Sequence, residues 1–310
     1  MHALPALSEA ADNTDNISFD WVVDKNFASV PSWHPLVDKI ITTDHRNWKK
    51  QLLSKNSRES LRRVINKINE GDYDFVVDMQ NNLKSSFISY LSKHDVIGMD
   101  SKSSREYPAH LAYFSKVNVD KKLHAIERQK KLLAEALGYN SNENIVNYGI
   151  SFSKFIKPNI KIADEYIVLV QNASWVTKQW SIANWQNLIK QIEKRGIPIL
   201  LPSGNLEEQK RAKEICSISN LAQALDPMSL NEIAYIIKNA KFSICSDTGL
   251  AHLSALVETP SITLYGPTKT SLIGTYGISQ IHLVGDNKDI NNIEVSEVLE
   301  ELERNSDLFV

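Results

Sequence analysis

Apolar residues along this 310-residue chain fall into short runs, separated by longer stretches in which they recur every three or four positions. The short runs read as buried strands and the periodic stretches as amphipathic helices. Their alternation predicts parallel sheets covered on both faces. In the first half, strands are predicted at 19–23, 39–43, 73–78 and 96–99, and helices over 50–70, 85–93 and 124–137, the last closed by Gly138. The Asn-rich stretch 139–147 and the segment around Pro158 read as a linker. Alternation then restarts, with strands predicted at 166–170, 197–201, 221–225, 242–245, 262–265 and 281–284, each separated by a helix. The pattern predicts an α/β chain of two doubly wound domains, 1–150 and 151–310. No short fixed repeat or low-complexity tract interrupts it.

Composition changes this picture little. With 42% hydrophobic and 23% charged residues, the chain has material for two cores of ordinary size. A net charge of −2 gives no bulk field to draw nucleic acid or anionic lipid, so contact with either needs a local patch. Cys216 and Cys245 have no metal-ligand spacing and read as buried free thiols. No apolar run approaches the ~18 residues of a membrane span, and no basic region followed by an apolar one opens the chain. The cytoplasm is the expected compartment.

Chemistry concentrates where strands end. The run 242–245 leads into Ser246-Asp247-Thr248-Gly249-Leu250-Ala251-His252 and a helix, and the next strand ends in Gly266-Pro267-Thr268. A strand, a small-residue turn and a helix start bring backbone N–H groups and a positive helix end to the carboxyl edge of a sheet, where anions bind. This is a phosphate-binding corner, with Asp247 expected as the N-cap and Gly249 allowing close approach to the backbone; an ordinary capped turn is the alternative. Ser174 and Lys178 follow the strand 166–170. Glu208 follows Leu201-Pro202-Ser203-Gly204, where a carboxylate can accept ribose hydroxyls or simply complement a helix start. In the first half, His45-Arg46-Asn47-Trp48-Lys49-Lys50 puts the cations Arg46, Lys49 and Lys50 at a helix start, where the helix dipole disfavours them and an anionic ligand would favour them.

Asp247-Thr248-Gly249-Leu250-x-His252, followed by a strand ending in Tyr265-Gly266-Pro267-Thr268, resembles the ADP-heptose:lipopolysaccharide heptosyltransferases, an inverting family. The resemblance extends through Phe19-Asp20-Trp21-Val22-Val23, Pro31-Ser32-Trp33-His34, Asp78-Met79-Gln80, Arg105-Glu106-x-Pro108, Lys178-x-Trp180 and Leu201-Pro202-x-Gly204. Among the family's branches the chain is most similar to the one that adds the first heptose to the Kdo sugar of Kdo-lipid A. The resemblance implies a GT-B fold, two Rossmann-like domains facing across a cleft, with the acceptor bound by 1–150 and ADP-heptose by 151–310.

The same resemblance implies roles for single residues. Lys178 would neutralise the leaving diphosphate, Met228 would pack on adenine, and Ser174, Asp247, Thr248, Gly249 and His252 would belong with Glu208 to the donor pocket. Core filler is the alternative for Met228, and a structural histidine the alternative for His252. Lys84 and Arg105 would join Arg46, Lys49 and Lys50 in holding the acceptor, while Asn47 replaces a basic residue commoner in the family. The family needs no metal and no other cofactor. Asp72-Tyr73-Asp74 matches a metal-holding pattern of other glycosyltransferases, but it precedes its strand and reads as a turn. The expected placement is peripheral, on the cytoplasmic face of the inner membrane. A different acceptor, a second heptose or a protein hydroxyl, is the main alternative.

The chain departs from the family at its start. Family members begin with an apolar strand ending in Gly-Asp, followed by His-x-Leu-Pro-Ala-Leu, whereas this chain begins Met1-His2-Ala3-Leu4-Pro5-Ala6-Leu7. The resemblance therefore implies a first domain lacking its initial, central strand and the Asp that serves as general base. A start assigned too far downstream accounts for both; a catalytically inactive nucleotide-sugar binder is expected if the start is genuine. No catalytic residue is assigned, and His2 is the nearest candidate.

Overall fold

The alternation begins with helix α1 (Leu4–Asn13), which carries Pro in its first turn and buries Leu4, Ala6, Leu7 and Ala10 on one face. Next come β1 (Phe19–Asp24), the short α2 (Ser29–Ser32) and β2 (Val37–Thr43), which pairs parallel with β1. Two helices follow, α3 (His45–Lys50) and α4 (Lys55–Glu70), the second capped by Ser54 accepting from the Ser57 N–H. Then β3 (Val76–Val77), α5 (Leu83–Leu91), β4 (Val96–Met99) and β5 (Ser115–Val117) build a second parallel sheet, and α6 (Ala125–Leu137) ends on Gly138 at φ +80°. The computed structural model describes residues 1–50, 54–142 and 146–306, without the side chains of Arg46 and Lys49.

The chain divides into two compact units, Met1–Ser153 and Lys154–Val310. In the first unit the strands form two sheets, β1-β2 and β3-β4-β5, and not the single sheet the alternation predicts. Both sheets nevertheless share a core. Phe19 and Trp21 of β1 and Val77 of β3 pack against Leu7 of α1 and Leu133 of α6. Among the described residues no strand pairs with the free edge of β1 or of β3. The strand predicted at 73–78 also contracts to two residues, because Tyr73 turns its hydroxyl to Asp20 (2.8 Å) and Phe75 is exposed.

The second unit follows the predicted pattern closely. It runs β6 (Ile167–Val170), α7 (Ile182–Glu193), β7 (Ile199–Ser203), α8 (Leu206–Cys216), β8 (Ala222–Pro227), α9 (Leu230–Lys238), β9 (Phe242–Ser246), α10 (Gly249–Leu256), β10 (Ser261–Tyr265), α11 (Thr270–Ile273), β11 (Gln280–Val284) and α12 (Val295–Asn305). Its strands make one parallel sheet in the order β11-β10-β9-β6-β7-β8. The chain builds outward from β6 to β8, then returns to lay β9 on the other side of β6. That reversal puts a topological switch point between β6 and β9, the place where doubly wound sheets bind ligands at their carboxyl edge. The sheet is held by one apolar core in which Ile167, Ile244 and Ile262 meet Trp180, Trp185 and Leu188. Trp180 is fully buried, with its ring edge-on to Trp185 and its indole N–H donating to the Ile293 carbonyl (3.1 Å).

Candidate functional site

At the switch point the two strands deliver one charged residue each. The segment after β6 closes in a 3-10 turn, Val176–Lys178, and the segment after β9 begins with Asp247. Lys178 Nζ lies 2.8 Å from Asp247 Oδ2, and Thr268, just past β10, donates its hydroxyl to the same oxygen. Residues 69 positions apart in sequence thus meet at the carboxyl edge, and Asp247 is nearly buried while Lys178 remains partly open. The ammonium is a point charge already set at the edge where an anion would arrive.

The N-terminus of α10 completes this corner, though not as the sequence implied. Thr248, and not Asp247, occupies the cap position, and it makes no side-chain cap. Asp247 cannot cap because its carboxylate is turned to Lys178 and Thr268. The positive helix end is consequently not neutralised by its own cap residue. A Cβ built on Gly249 would meet nothing within 4 Å, so open space lies over the first turn. Gly266 is different. A Cβ there would come within 3.0 Å of the Lys288 carbonyl oxygen and 3.1 Å of that of Thr177, so this glycine lets three backbone segments close beside Lys178.

The remaining donor candidates ring the same edge. Ser174 is exposed between β6 and Lys178. Glu208 sits in the first turn of α8, behind the cap Asn205, and its carboxylate accepts from the Gly204 N–H (2.8 Å). Met228 is half-buried and its N–H donates to the Ser203 carbonyl, which ties the β8–α9 turn to the end of β7. His252 is half-buried on α10. Sequence reasoning missed three further groups. The Gln171 amide oxygen and the Ser203 and Ser246 hydroxyls are buried without a hydrogen-bond partner among the described residues. All three end or follow a strand of this sheet, and leaving such groups unmet costs roughly 1–3 kcal/mol each. Polar residues abruptly ending apolar runs were the available signal.

In the first unit, Lys84 lies in the first turn of α5 and is exposed, as is Arg105. One hydrogen-bonded junction carries both: the Arg105 and Glu106 N–H groups donate to the Asn81 carbonyl, and the Leu83 N–H donates to the Glu106 carboxylate. Asp78 is the anchor of this junction, with Oδ1 accepting from the Gln80 and Asn81 N–H groups and Oδ2 from the Tyr113 hydroxyl (2.8 Å). The Asp78-Met79-Gln80 motif is therefore scaffolding for the turn. His45, opening α3, is held below the usual histidine range by burial first, with the Asp24 carboxylate opposing and the Lys84 charge adding to the shift. Lys50 is exposed at the end of α3, whereas the Arg46 and Lys49 side chains lie outside the described residues. Asn47 donates its amide to Asp44 (2.7 Å), which also pairs with Lys25. His2 stacks edge-on against His124, the N-cap of α6.

Comparison with known proteins gives this geometry a context. The family model for glycosyltransferase family 9 (heptosyltransferase) matches residues 61–302. Lipopolysaccharide heptosyltransferase 1 of Pseudomonas aeruginosa is 37% identical over 290 residues, covering 92% of this chain and 80% of that protein. The protein of the same name from Salmonella typhimurium is 36% identical over 302 residues, covering 96% and 94%. Among solved structures, E. coli heptosyltransferase WaaC with ADP superposes with a TM-score of 0.91 at 34% identity, covering 98% of this chain and 95% of that one.

Proposed function

We infer that this chain, which belongs to glycosyltransferase family 9, the heptosyltransferases, moves heptose from ADP-heptose to the Kdo sugar of Kdo-lipid A in lipopolysaccharide inner-core assembly. The observation that carries the reading is the Lys178–Asp247 pair at the switch point, beside the uncapped start of α10. An ADP diphosphate laid on that edge meets a fixed cation and a positive helix end, which stabilise the charge that grows as the leaving group departs. The acceptor hydroxyl attacks the anomeric carbon from the opposite face and gives up its proton to solvent; the new C–O bond forms as the bond to the diphosphate breaks, ADP departs, and configuration inverts. In this reading Glu208 takes the ribose hydroxyls, and Met228, Ser174, Thr248, Gly249 and His252 line the rest of the donor. The exposed cations Lys84, Arg105 and Lys50, with Arg46 and Lys49, suit the Kdo carboxylate and the lipid A phosphates. No described helix is long and apolar enough to cross a membrane, and the enzyme works peripherally at the cytoplasmic face of the inner membrane.

Two substitutions test the donor site with opposite signs. Lys178→Ala should weaken ADP binding and raise KM for ADP-heptose by roughly 10- to 100-fold, the worth of a charge-assisted hydrogen bond. Asp247→Asn removes the carboxylate that pairs with Lys178 and frees the ammonium for the diphosphate, so ADP binding should hold or tighten. Calorimetry with ADP separates these outcomes. Unchanged affinity in Lys178→Ala removes the lysine from the site, and weakened affinity in Asp247→Asn means the carboxylate itself touches the ligand. Product analysis with Kdo-lipid A then tests the acceptor, and transfer only to an already heptosylated acceptor would reassign it.

A further inference from the structure

Helix α5 is amphipathic the wrong way round for a helix that only covers a sheet. Its buried face is Ser86 and Ile88, while Leu83, Phe87 and Tyr90, spaced i, i+4, i+7 along one stripe, are exposed. The short 3-10 turn Ala109–Ala112 packs on α5 and repeats the pattern. There Ala109 and Tyr113 enter a core with Val96, whereas Leu111 and Phe114 point out. Tyr90, Tyr107, Leu111 and Phe114 are each 70–76% exposed: Tyr90 lies on α5, Leu111 on the turn that contacts it, and Tyr107 and Phe114 flank that turn. Exposed apolar side chains scattered singly need no explanation, but a group gathered on and beside two packed elements marks an interaction surface.

Charge identifies the occupant. From Leu83 to Lys116 the chain carries five Lys and Arg against three Asp and Glu, in a protein whose net charge is −2. Two of the three acids are engaged by backbone: Glu106 accepts from the Leu83 N–H, and Asp100 from the Lys102 and Ser103 N–H groups. Lys84, Lys93, Arg105 and Lys116 are exposed and each lies within two residues of an exposed apolar or aromatic side chain. A second copy laid symmetrically on this surface would bring like charges together, whereas an anionic lipid surface neutralises them. Aromatic and leucine side chains entering the headgroup layer, rimmed by lysines that stay at its surface, are the composition of an interfacial membrane contact.

We propose that the outward face of α5 and the adjoining 107–114 segment dock this protein on an anionic lipid bilayer. The proposal deepens the functional reading above, since a lipid-anchored acceptor must be met at a membrane, and it puts the docking face beside the acceptor candidates Lys84 and Arg105. The test is co-sedimentation with phosphatidylethanolamine vesicles containing phosphatidylglycerol and no acceptor lipid. The wild-type chain should pellet with these vesicles and not with pure phosphatidylcholine. The variant Leu111→Gln/Phe114→Gln, altered only at exposed positions, should bind them at least roughly tenfold more weakly while binding ADP as before. A wild-type chain left in the supernatant, or a double variant that pellets equally well, overturns the proposal. So does a wild-type dimer in analytical ultracentrifugation that the double variant abolishes, which would give the surface to a second copy. Transfer to a deacylated, water-soluble acceptor is measured alongside: its persistence without vesicle binding overturns docking alone, and its absence with vesicle binding intact overturns only the functional reading.

Discussion

His34 shows how a residue of the family-like Pro31-Ser32-Trp33-His34 stretch serves the fold instead of the ligand. It is almost fully buried, its Nε2 lies 3.1 Å from the Ser8 hydroxyl, and its Nδ1 accepts from the Leu36 N–H at 3.3 Å. Gly149, at φ +60°, completes the contact, because a Cβ there would fall 2.1 Å from the Ser8 oxygen and 2.8 Å from His34 Nε2. Burial depresses the His34 pKa from 6.5 to about 4. An imidazole depressed in this way favours folding while neutral. The unfolded chain takes up a proton below pH 6.5 that the native chain declines, so stability falls as pH drops from 6.5 towards 4 and then levels. Between pH 7.5 and 5 the loss from this one group is about 2 kcal/mol. Urea melts of wild type and His34→Gln across that range check it. The variant, lacking the titrating ring, should show a correspondingly shallower decline, and parallel curves would take His34 out of the acid response.

At the scale of elements, legibility followed burial. The second unit was readable because its four inner strands, β6, β7, β9 and β10, are buried at every residue, while the edge strands β8 and β11, only partly buried, still carry short apolar runs; the strand order put Lys178 and Asp247 at one edge. The three-residue β5 carried no signal, since Ser115 and Lys116 are exposed, and α1 went unread at the start of the chain. The division of the first unit into two sheets was not legible from periodicity, which reports burial of a strand but not its neighbours. The role of Asp247 was misread for a related reason: a cap is a local contact, whereas its actual partners are Lys178 and Thr268, brought in by tertiary structure. The two glycines of the corner give a contrast to test. Gly249→Ala should leave stability unchanged or slightly raised, since the methyl enters open space at a helix start, yet weaken ADP binding by filling it. Gly266→Ala should cost about 1–3 kcal/mol by pushing apart the backbone at Thr177 and Lys288. Denaturant melts and ADP calorimetry on both variants read the two effects separately; a destabilised Gly249→Ala with normal ADP affinity would mean the glycine is structural.

For the molecule as a whole, the proposed division of labour is a division of electrostatic environments. The donor contact rests on Lys178 paired with a carboxylate whose side chain is only 6% exposed, in the second unit. The acceptor candidates of the first unit, Lys84 and Arg105, are exposed. Solvent-exposed charges are screened over a Debye length of about 8 Å at physiological ionic strength, whereas partly buried pairs are screened much less. Raising salt should therefore increase KM for a soluble, deacylated acceptor more steeply than it weakens ADP. Lys84→Ala/Arg105→Ala should raise the acceptor KM by roughly tenfold and flatten its salt dependence, because the contacts that salt screens are already gone. ADP affinity should not move, since no donor candidate lies in the altered unit. If the double variant loses ADP affinity in parallel, the two ligands share a binding surface and the assignment of one ligand to each unit fails. If its acceptor KM keeps the wild-type salt slope, the recognising cations lie elsewhere, with Arg46, Lys49 and Lys50 of α3 the next to replace.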